Sequence, residues 1–200
     1  MPTTTAIAQT LSISTSLLAA GSMASFSVFD TPMFKSQPAS RSLPSIRWLF
    51  SRGSHIFPQA AVLSSAGFAY LAINALPAGH ALNSIINLGS NGAVVNGYLA
   101  AAGLCIGIFP FTTVVMVPTN FTIMDINKEK GGARSEGSAK EKEIREFTDL
   151  TGPQGETGKR TTEEEDQRVR ELLERFGRLN AARAVLMGVG GVVGLFTALA

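Results

Sequence analysis

Four long apolar stretches constrain this 200-residue chain more than any other feature. A helix that crosses a bilayer needs roughly 20 apolar residues, and the sequence has such runs at 6–29, 56–76, 97–117 and 179–200. Charged residues make up only 16% of the chain, against roughly a quarter of an average soluble domain. The sequence therefore predicts an all-α integral membrane protein, with residues 1–200 forming one four-helix bundle in a lipid bilayer.

The charges flanking these stretches predict an orientation. The first stretch has an alternative reading as a signal peptide, but it lacks the basic n-region of such peptides, so we expect it to span. The short loop 30–55 carries Lys35, Arg41, Arg47 and Arg52. Because basic loops stay on the cytosolic side, we expect this loop and the charged segment 125–178 in the cytosol. The termini then lie in the lumen, and an endomembrane such as the endoplasmic reticulum is the expected location.

The segment 125–178 between the third and fourth spans is expected to be a partly helical loop. Its parts 128–137 and 151–160 are rich in glycine and charge and are predicted to be mobile. Residues 139–150 and 161–178 have the pattern of short amphipathic helices. Thr162 and Glu165 have the spacing of a capping box at the start of the second one.

The inventory of chemically active residues excludes several classes of function. The chain has one cysteine and two histidines, and no carboxylate falls inside an apolar run. Neither a disulfide nor a Cys-x-x-Cys site is possible, and we expect no metal centre in the membrane. A net charge of +2 argues against a nucleic-acid partner.

Glycine pairs in the spans predict close helix packing. Gly103 and Gly107, and Gly190 and Gly194, have the small-xxx-small spacing that lets helices approach each other in lipid. We expect this packing within one bundle, with dimerisation as the alternative.

Polar residues mark the ends of two spans. The third span ends in Pro110-Phe111-Thr112 and then Pro118-Thr119-Asn120, and the fourth opens with Leu179-Asn180-Ala181-Ala182-Arg183. Interrupted backbone is tolerated at membrane depth only where protein or water satisfies it. The pattern therefore predicts a polar pocket within the bundle.

These blocks, in this order, resemble the anthrone oxygenase family, small four-helix membrane proteins of fungal polyketide pathways. The resemblance covers roughly 21–199 and also includes Pro32, Trp48, Gly53, Pro58, Tyr98 and Ala101. Phe176 is a departure, since a tryptophan is expected before the Asn-x-x-Arg pair.

The resemblance implies an activity. Family members with assigned activity oxidise anthrones to anthraquinones with molecular oxygen and no added cofactor. It implies an aromatic polyketide and O₂ as the small-molecule partners. The alternative is a non-enzymatic membrane scaffold of the same fold.

Six residues are candidates for the site, and each has a structural alternative. Arg183 is expected to stabilise a substrate oxyanion, unless it snorkels to the lipid headgroups. His55 is the candidate base, or a structural histidine at the membrane boundary. Asn120, Asn180 and Thr112 are expected to bind substrate oxygens, or else to satisfy backbone near prolines and the helix start. Trp48 is either a stacking platform or an interface anchor.

Overall fold

The computed structural model describes residues 3–77, 92–140 and 145–200, and every regular element in these ranges is helical. In chain order they are α1 (Thr3–Ser25), π1 (Phe26–Asp30), α2 (Thr31–Lys35), α3 (Ala39–Asn74), α4 (Ala93–Ile106), α5 (Ile108–Phe111), π2 (Thr112–Met116), α6 (Val117–Glu129), α7 (Glu136–Ala139), a 3₁₀ turn (Glu146–Thr148) and α8 (Glu163–Leu199).

Several of these elements join end to end into four long helices. Among the described residues, the helices long and apolar enough to cross a membrane are Thr3–Lys35, Ala39–Asn74, Ala93–Glu129 and Glu163–Leu199. The protein is thus an all-α integral membrane protein with four spanning helices, as the sequence predicts.

The third and fourth predicted spans are parts of longer helices. The third helix continues through Pro110 and Pro118 to Glu129, and the fourth begins at Glu163, so that the amphipathic stretch and the last apolar stretch form one helix. The capping box at its start is confirmed. The Thr162 N–H donates to Glu165 Oε2 at 2.9 Å, and the Glu165 N–H donates to Thr162 Oγ1 at 3.3 Å.

The described chain divides into two compact units, and the first comprises Met1–Met23, Pro58–Pro110 and Ala182–Ala200. Buried polar contacts join its helices. Gln9 Nε2 donates to the Tyr98 hydroxyl at 2.8 Å, and Ser65 Oγ donates to the Ala102 carbonyl at 3.0 Å. Such hydrogen bonds between helices, together with small residues at the contacts, are typical of packing in lipid.

Glycines set the closest contacts of this first unit. A Cβ on Gly190 would lie 2.8 Å from Cys105 Sγ, and one on Gly194 would overlap the ring of Phe68. This confirms close packing at the second glycine pair. For Gly103 the expectation is wrong, because a Cβ there would meet nothing within 4 Å. It lies on an exposed face of α4 instead of at a helix contact.

The second unit comprises Ala24–Phe57 and Phe111–Ala181 and has its own hydrophobic core. The core residues, which lie on α2, α3, π2, α6 and α8, are Phe34, Ala39, Leu43, Ile46, Met116, Ile123, Ile126, Val169, Leu173 and Phe176. Val169, Leu173 and Phe176 recur at helical spacing within 161–178, and they place one face of α8 in this core. Phe176 packs against Phe50 with ring centroids 5.1 Å apart.

Residues of the charged segment after α6 form hydrogen bonds with α3. Thr157 N–H donates to the Ser40 carbonyl at 2.8 Å, and Trp48 Nε1 donates to the Thr151 carbonyl at 2.8 Å. Gly131 has φ of 73°, a conformation that glycine adopts without strain, and it turns the chain at the end of α6.

The helix expected over 139–150 does not form as a continuous element. Helix α7 ends at Ala139, residues 141–144 lie outside the described residues, and the following 3₁₀ turn spans only Glu146–Thr148. The Asp149 carboxylate accepts the Thr151 N–H two residues ahead at 3.0 Å. Local side-chain bonds of this kind compete with the helical backbone and favour a turn.

Candidate active site

Two π-helical turns precede prolines in the second unit. The Thr31 N–H and Oγ1 both donate to the Phe26 carbonyl, the latter at 2.8 Å, and the Val117 N–H donates to the Thr112 carbonyl. Pro32 and Pro118 follow directly. A proline has no N–H to give to the helix ladder, and the wider turn before each one lets the helix continue. Such π-turns are frequent at functional sites.

Thr112 and Asn120 flank the second of these turns. Thr112 is the first residue of π2, with a half-buried side chain, and Asn120 lies in the first turn of α6. Both therefore belong to one continuous helix, on either side of Pro118. The backbone of the third helix is thus irregular at the position where the sequence has polar residues beside prolines.

Two buried oxygen atoms in the first turn of α6 lack hydrogen-bond partners among the described residues. They are Oγ1 of Thr119, whose side chain is 3% exposed, and Oδ1 of Asn120. A buried acceptor without a partner costs about 1–3 kcal/mol. A ligand hydroxyl that donated to either oxygen would remove that cost.

Asn180 is buried in the second unit, where α8 approaches π1. Its side chain is 1% exposed, and its Nδ2 donates to Ser27 Oγ at 3.4 Å. One turn earlier, a Cβ on Gly177 would lie 2.9 Å from Cγ2 of Thr31. Glycine at 177 therefore allows the close approach that brings Asn180 to Ser27.

Arg183 follows Asn180 by three residues on α8. Its side chain is only 8% exposed, so protein covers it in place of lipid or headgroups. Ionisable groups in spanning helices usually face the protein interior in this way. Arg183 belongs to the first unit, whereas Trp48, His55, Thr112, Asn120 and Asn180 belong to the second.

His55 is oriented by its own helix. Its Nδ1 lies 2.7 Å from the Ser51 carbonyl oxygen. A carbonyl oxygen can only accept, so Nδ1 carries the proton and Nε2 of the neutral ring keeps its lone pair. The ring also lies 6.1 Å, between centroids, from the ring of Phe147.

Trp48 is held by the charged segment. Besides the bond from its indole N–H to Thr151, the Arg52 guanidinium lies 5.3 Å above its ring. The structure thus gives Trp48 a role in docking 145–151 onto α3.

Metal ligands do not gather in the part of the chain that the structure describes. No group of three His, Cys, Asp or Glu side chains there has the arrangement of a metal site. The polar groups of the spanning helices are instead amides, hydroxyls and one guanidinium.

Sequence reasoning missed two contributors to this region, Ser27 and Thr31. Both lie near the end of the first apolar stretch, where Ser27 meets Asn180 and Thr31 bonds back to Phe26. The signal was present in the proline at position 32, because a hydroxyl just before a proline often satisfies backbone that the proline leaves open. The partner of Ser27 was not visible, since it lies in the last helix.

The fold and these polar groups define a class of protein, a four-helix integral membrane protein with amide, hydroxyl and guanidinium groups buried in its helices. A family model described as anthrone oxygenase matches residues 47–193. The match covers about three quarters of the chain, and the protein belongs to the anthrone oxygenase family. Comparison with curated proteins and with solved structures gives no match.

Family membership supports a function related to polyketide metabolism, carried out on a small molecule by a protein embedded in the membrane. The description of the family indicates an oxygenase. The matched region contains all six residues that the sequence indicates for the site.

Proposed function

We propose that the protein oxidises a polyketide-derived anthrone to the corresponding anthraquinone with O₂ and without an added cofactor. The observation that carries this proposal is the family match over residues 47–193. The apolar, charge-poor character of the spanning helices supports it, because anthrones are flat apolar molecules that partition into membranes.

The reaction makes few demands on a protein. A base removes a proton from the CH₂ of the anthrone and leaves an electron-rich anion. This anion passes one electron to O₂, and the two radicals join in a C–O bond. Protonation gives a hydroperoxide, which loses water as the second C–H proton leaves and the O–O bond breaks. One anthrone and one O₂ thus give one quinone and one water, with O₂ as the only oxidant.

Arg183 is the residue we propose to stabilise negative charge. A guanidinium stays protonated in proteins, so it can face an anthrone anion or a peroxide without taking part in proton transfer. A donor preorganised toward a developing anion in a water-poor site is among the strongest single contributions to catalysis. The low exposure of Arg183 supports this role.

His55 is the residue we propose as the base. Its Nδ1–H bond to the Ser51 carbonyl leaves Nε2 as the acceptor, and fixing one ring nitrogen in this way sets the tautomer that a base requires. The proton taken by Nε2 would then pass to the peroxide anion to give the hydroperoxide, which returns the ring to its neutral form.

Asn120, Asn180 and Thr112 are proposed to bind the substrate oxygens. The Asn120 Oδ1 has no hydrogen-bond partner among the described side and main chains, which suits it to accept from a phenolic hydroxyl of the substrate. Asn180 offers a buried amide, and Trp48 an aromatic surface. An aromatic polyketide carries hydroxyl and carbonyl groups that match these donors and acceptors.

The proposed location is an endomembrane with the charged loops in the cytosol and the termini in the lumen. Lys35, Arg41, Arg47 and Arg52 in the first loop support it through the positive-inside rule. Protease added to sealed microsomes should cleave within 125–178. If that segment is spared while the termini are cut, the orientation is the opposite.

Oxygen uptake by microsomes that contain the protein tests the activity. Emodin anthrone is the substrate, mass spectrometry quantifies the quinone, and microsomes without the protein give the spontaneous rate. Chelator and flavin-free buffer test the independence of cofactors. We expect quinone formation well above the spontaneous rate under both conditions.

Matched variants then test the site. Arg183→Ala should lower the rate by about 100-fold, as for loss of one oxyanion donor. Arg178→Ala is the control, because Arg178 lies on the same helix but is exposed and pairs with Glu174. A rate equal to the spontaneous one with several anthrones, with the protein present in the membrane, would contradict the oxygenase and favour a scaffold.

A further inference from the structure

Two large apolar side chains of the charged segment point away from the protein. Phe147 is 74% exposed and Leu150 is 91% exposed. Single apolar residues on a protein surface are ordinary. Here, however, the two lie three residues apart, between the glycine- and charge-rich parts 128–137 and 151–160.

A buried carboxylate between them fixes their direction. Asp149 accepts hydrogen bonds from Ser135 Oγ and, at 2.6 Å, from Thr151 Oγ1. Arg52 of α3 donates to the Asp149 carbonyl, which ties the turn to that helix. Because these bonds hold the Asp149 side chain inside the protein, the turn presents Phe147 and Leu150 on its outer side.

This turn lies beside the point on α3 where a long uncharged apolar stretch begins. The Phe147 ring lies beside His55, with centroids 6.1 Å apart. The next residue of α3, Ile56, is 58% exposed and begins the uncharged apolar stretch of that helix. Phe147 therefore lies next to the end of the apolar part of α3 that we expect to enter the bilayer.

We propose that the turn 145–150 docks on the lipid surface, with Phe147 and Leu150 inserted at the level of the headgroups. Aromatic side chains collect at that level of membrane proteins, and apolar side chains beside basic ones are the usual composition of interfacial anchors. The neighbouring Arg145 is exposed and supplies positive charge for anionic headgroups. The occupant we propose is lipid, because Phe147 lies beside the start of a helix stretch that is apolar enough to cross a membrane.

Spin labels on introduced cysteines test this docking directly. The background is Cys105→Ala, since Cys105 is the chain's one cysteine and is buried. Labels are placed with Phe147→Cys and with Leu150→Cys. Lys159→Cys, exposed in the same segment, is the aqueous reference, and Leu63→Cys, exposed on the apolar part of α3, is the lipid reference.

The full-length protein is reconstituted in vesicles of phosphatidylcholine and phosphatidylserine. Collision of each label with O₂, which concentrates in lipid, is compared with collision with a water-soluble nickel complex. We expect the O₂-to-nickel ratio at 147 and 150 to exceed that at 159 several-fold and to approach that at 63.

A ratio at 147 and 150 equal to that at 159 would overturn the proposal. So would low access to both reagents with dipolar broadening between labels, because a second copy of the chain would then cover the patch. The two positions give independent readings if one variant folds poorly. Since no catalytic rate is measured, the result does not depend on the proposed oxygenase activity.

Discussion

Asn180 on the last long helix donates a hydrogen bond to Ser27 in the π-turn of the first, at 3.4 Å. The two residues are 153 positions apart in sequence, and Asn180 is almost fully buried. Gly177 makes this approach possible from the α8 side, and Pro32 accounts for the wide turn on the other. An amide thus lies where two spanning helices of the second unit come together.

Replacement of Asn180 should affect both stability and activity, whereas replacement of Ser27 should affect mainly stability. Ser27→Ala removes one acceptor of a buried pair, at a cost of about 1–3 kcal/mol. Asn180→Ala should cost a similar amount and also lower the anthrone turnover by about tenfold, as for one lost hydrogen bond in the transition state. Thermal unfolding in detergent and quinone formation measure the two effects.

Equal losses of activity in the two variants would assign Asn180 a structural role alone. The double variant is informative as well. If the bond is the main link between the residues, the double variant should lose less stability than the sum of the losses in the two single variants.

Proline at 118 should be required for the geometry of the site more than for the fold. Pro118→Ala restores an N–H that can close an α-helical turn, which removes the reason for the π-turn at Thr112–Met116. The wide turn would then close to an ordinary α-helical turn, which would rotate Thr112 relative to Asn120 along the helix. We expect turnover to fall by about 10-fold or more, because small displacements of positioning groups are costly.

Circular dichroism and quinone formation measure that change, and helix content should stay the same. Pro153→Ala in the exposed charged segment is the matched control. Wild-type turnover in Pro118→Ala would show that the π-turn is not needed for the reaction.

The helices themselves were predictable from the sequence, because uncharged stretches of about 20 residues have few alternatives to spanning a membrane. The start of α8 was equally predictable, because the Thr162–Glu165 capping box depends only on residues that are close in sequence. Proline was misleading in the third span. It usually ends a helix, yet a π-turn and the buried neighbours Met116 and Ile123 carry the helix through Pro118 to Glu129.

Contacts between distant segments could not be predicted from the sequence. Residues 128–137 and 151–160 have the composition of mobile linkers, but the structure shows hydrogen bonds from α3 to Asp149 and Thr151, and one from Thr157 to Ser40 of α3. The pairing of Asn180 with Ser27 likewise depends on how two helices pack. The composition of a segment indicates whether it lies in solvent or in lipid, but it does not indicate which other segment packs against it.

Asp149 should make the docking of the charged segment dependent on pH. The hydrogen bonds from Ser135 and then from Thr151 lower the pKa of Asp149 from 3.8 to about 2, and the positive charge of the nearby Arg134 guanidinium contributes to the same shift. Because the carboxylate is favoured in the folded state, its contribution is full above about pH 4 and is lost as the pH falls toward 2. The fluorescence of Trp48, the one tryptophan in the chain, reports on the docking through its bond to Thr151.

We expect the Trp48 emission of the wild type to change between about pH 4 and pH 2, the interval between the unfolded and folded pKa values. Asp149→Asn should show the acid-type emission already at neutral pH. Glu136→Gln is the control, because Glu136 is exposed and pairs with Lys140 four residues away. A transition of Asp149→Asn that matches the wild type would mean that another carboxylate governs the docking.

Two glycines of the first unit should respond to alanine in opposite ways. At Gly194 an added Cβ would overlap the buried ring of Phe68, and overpacking of this kind costs about 1–3 kcal/mol. At Gly103 a Cβ meets nothing within 4 Å, so alanine gains up to about 1 kcal/mol of helix propensity. Gly194→Ala should therefore lower the thermal midpoint in detergent, and Gly103→Ala should leave it unchanged or raise it. A loss of stability in Gly103→Ala comparable to that in Gly194→Ala would mean that α4 packs against another surface at Gly103, as a dimer would require.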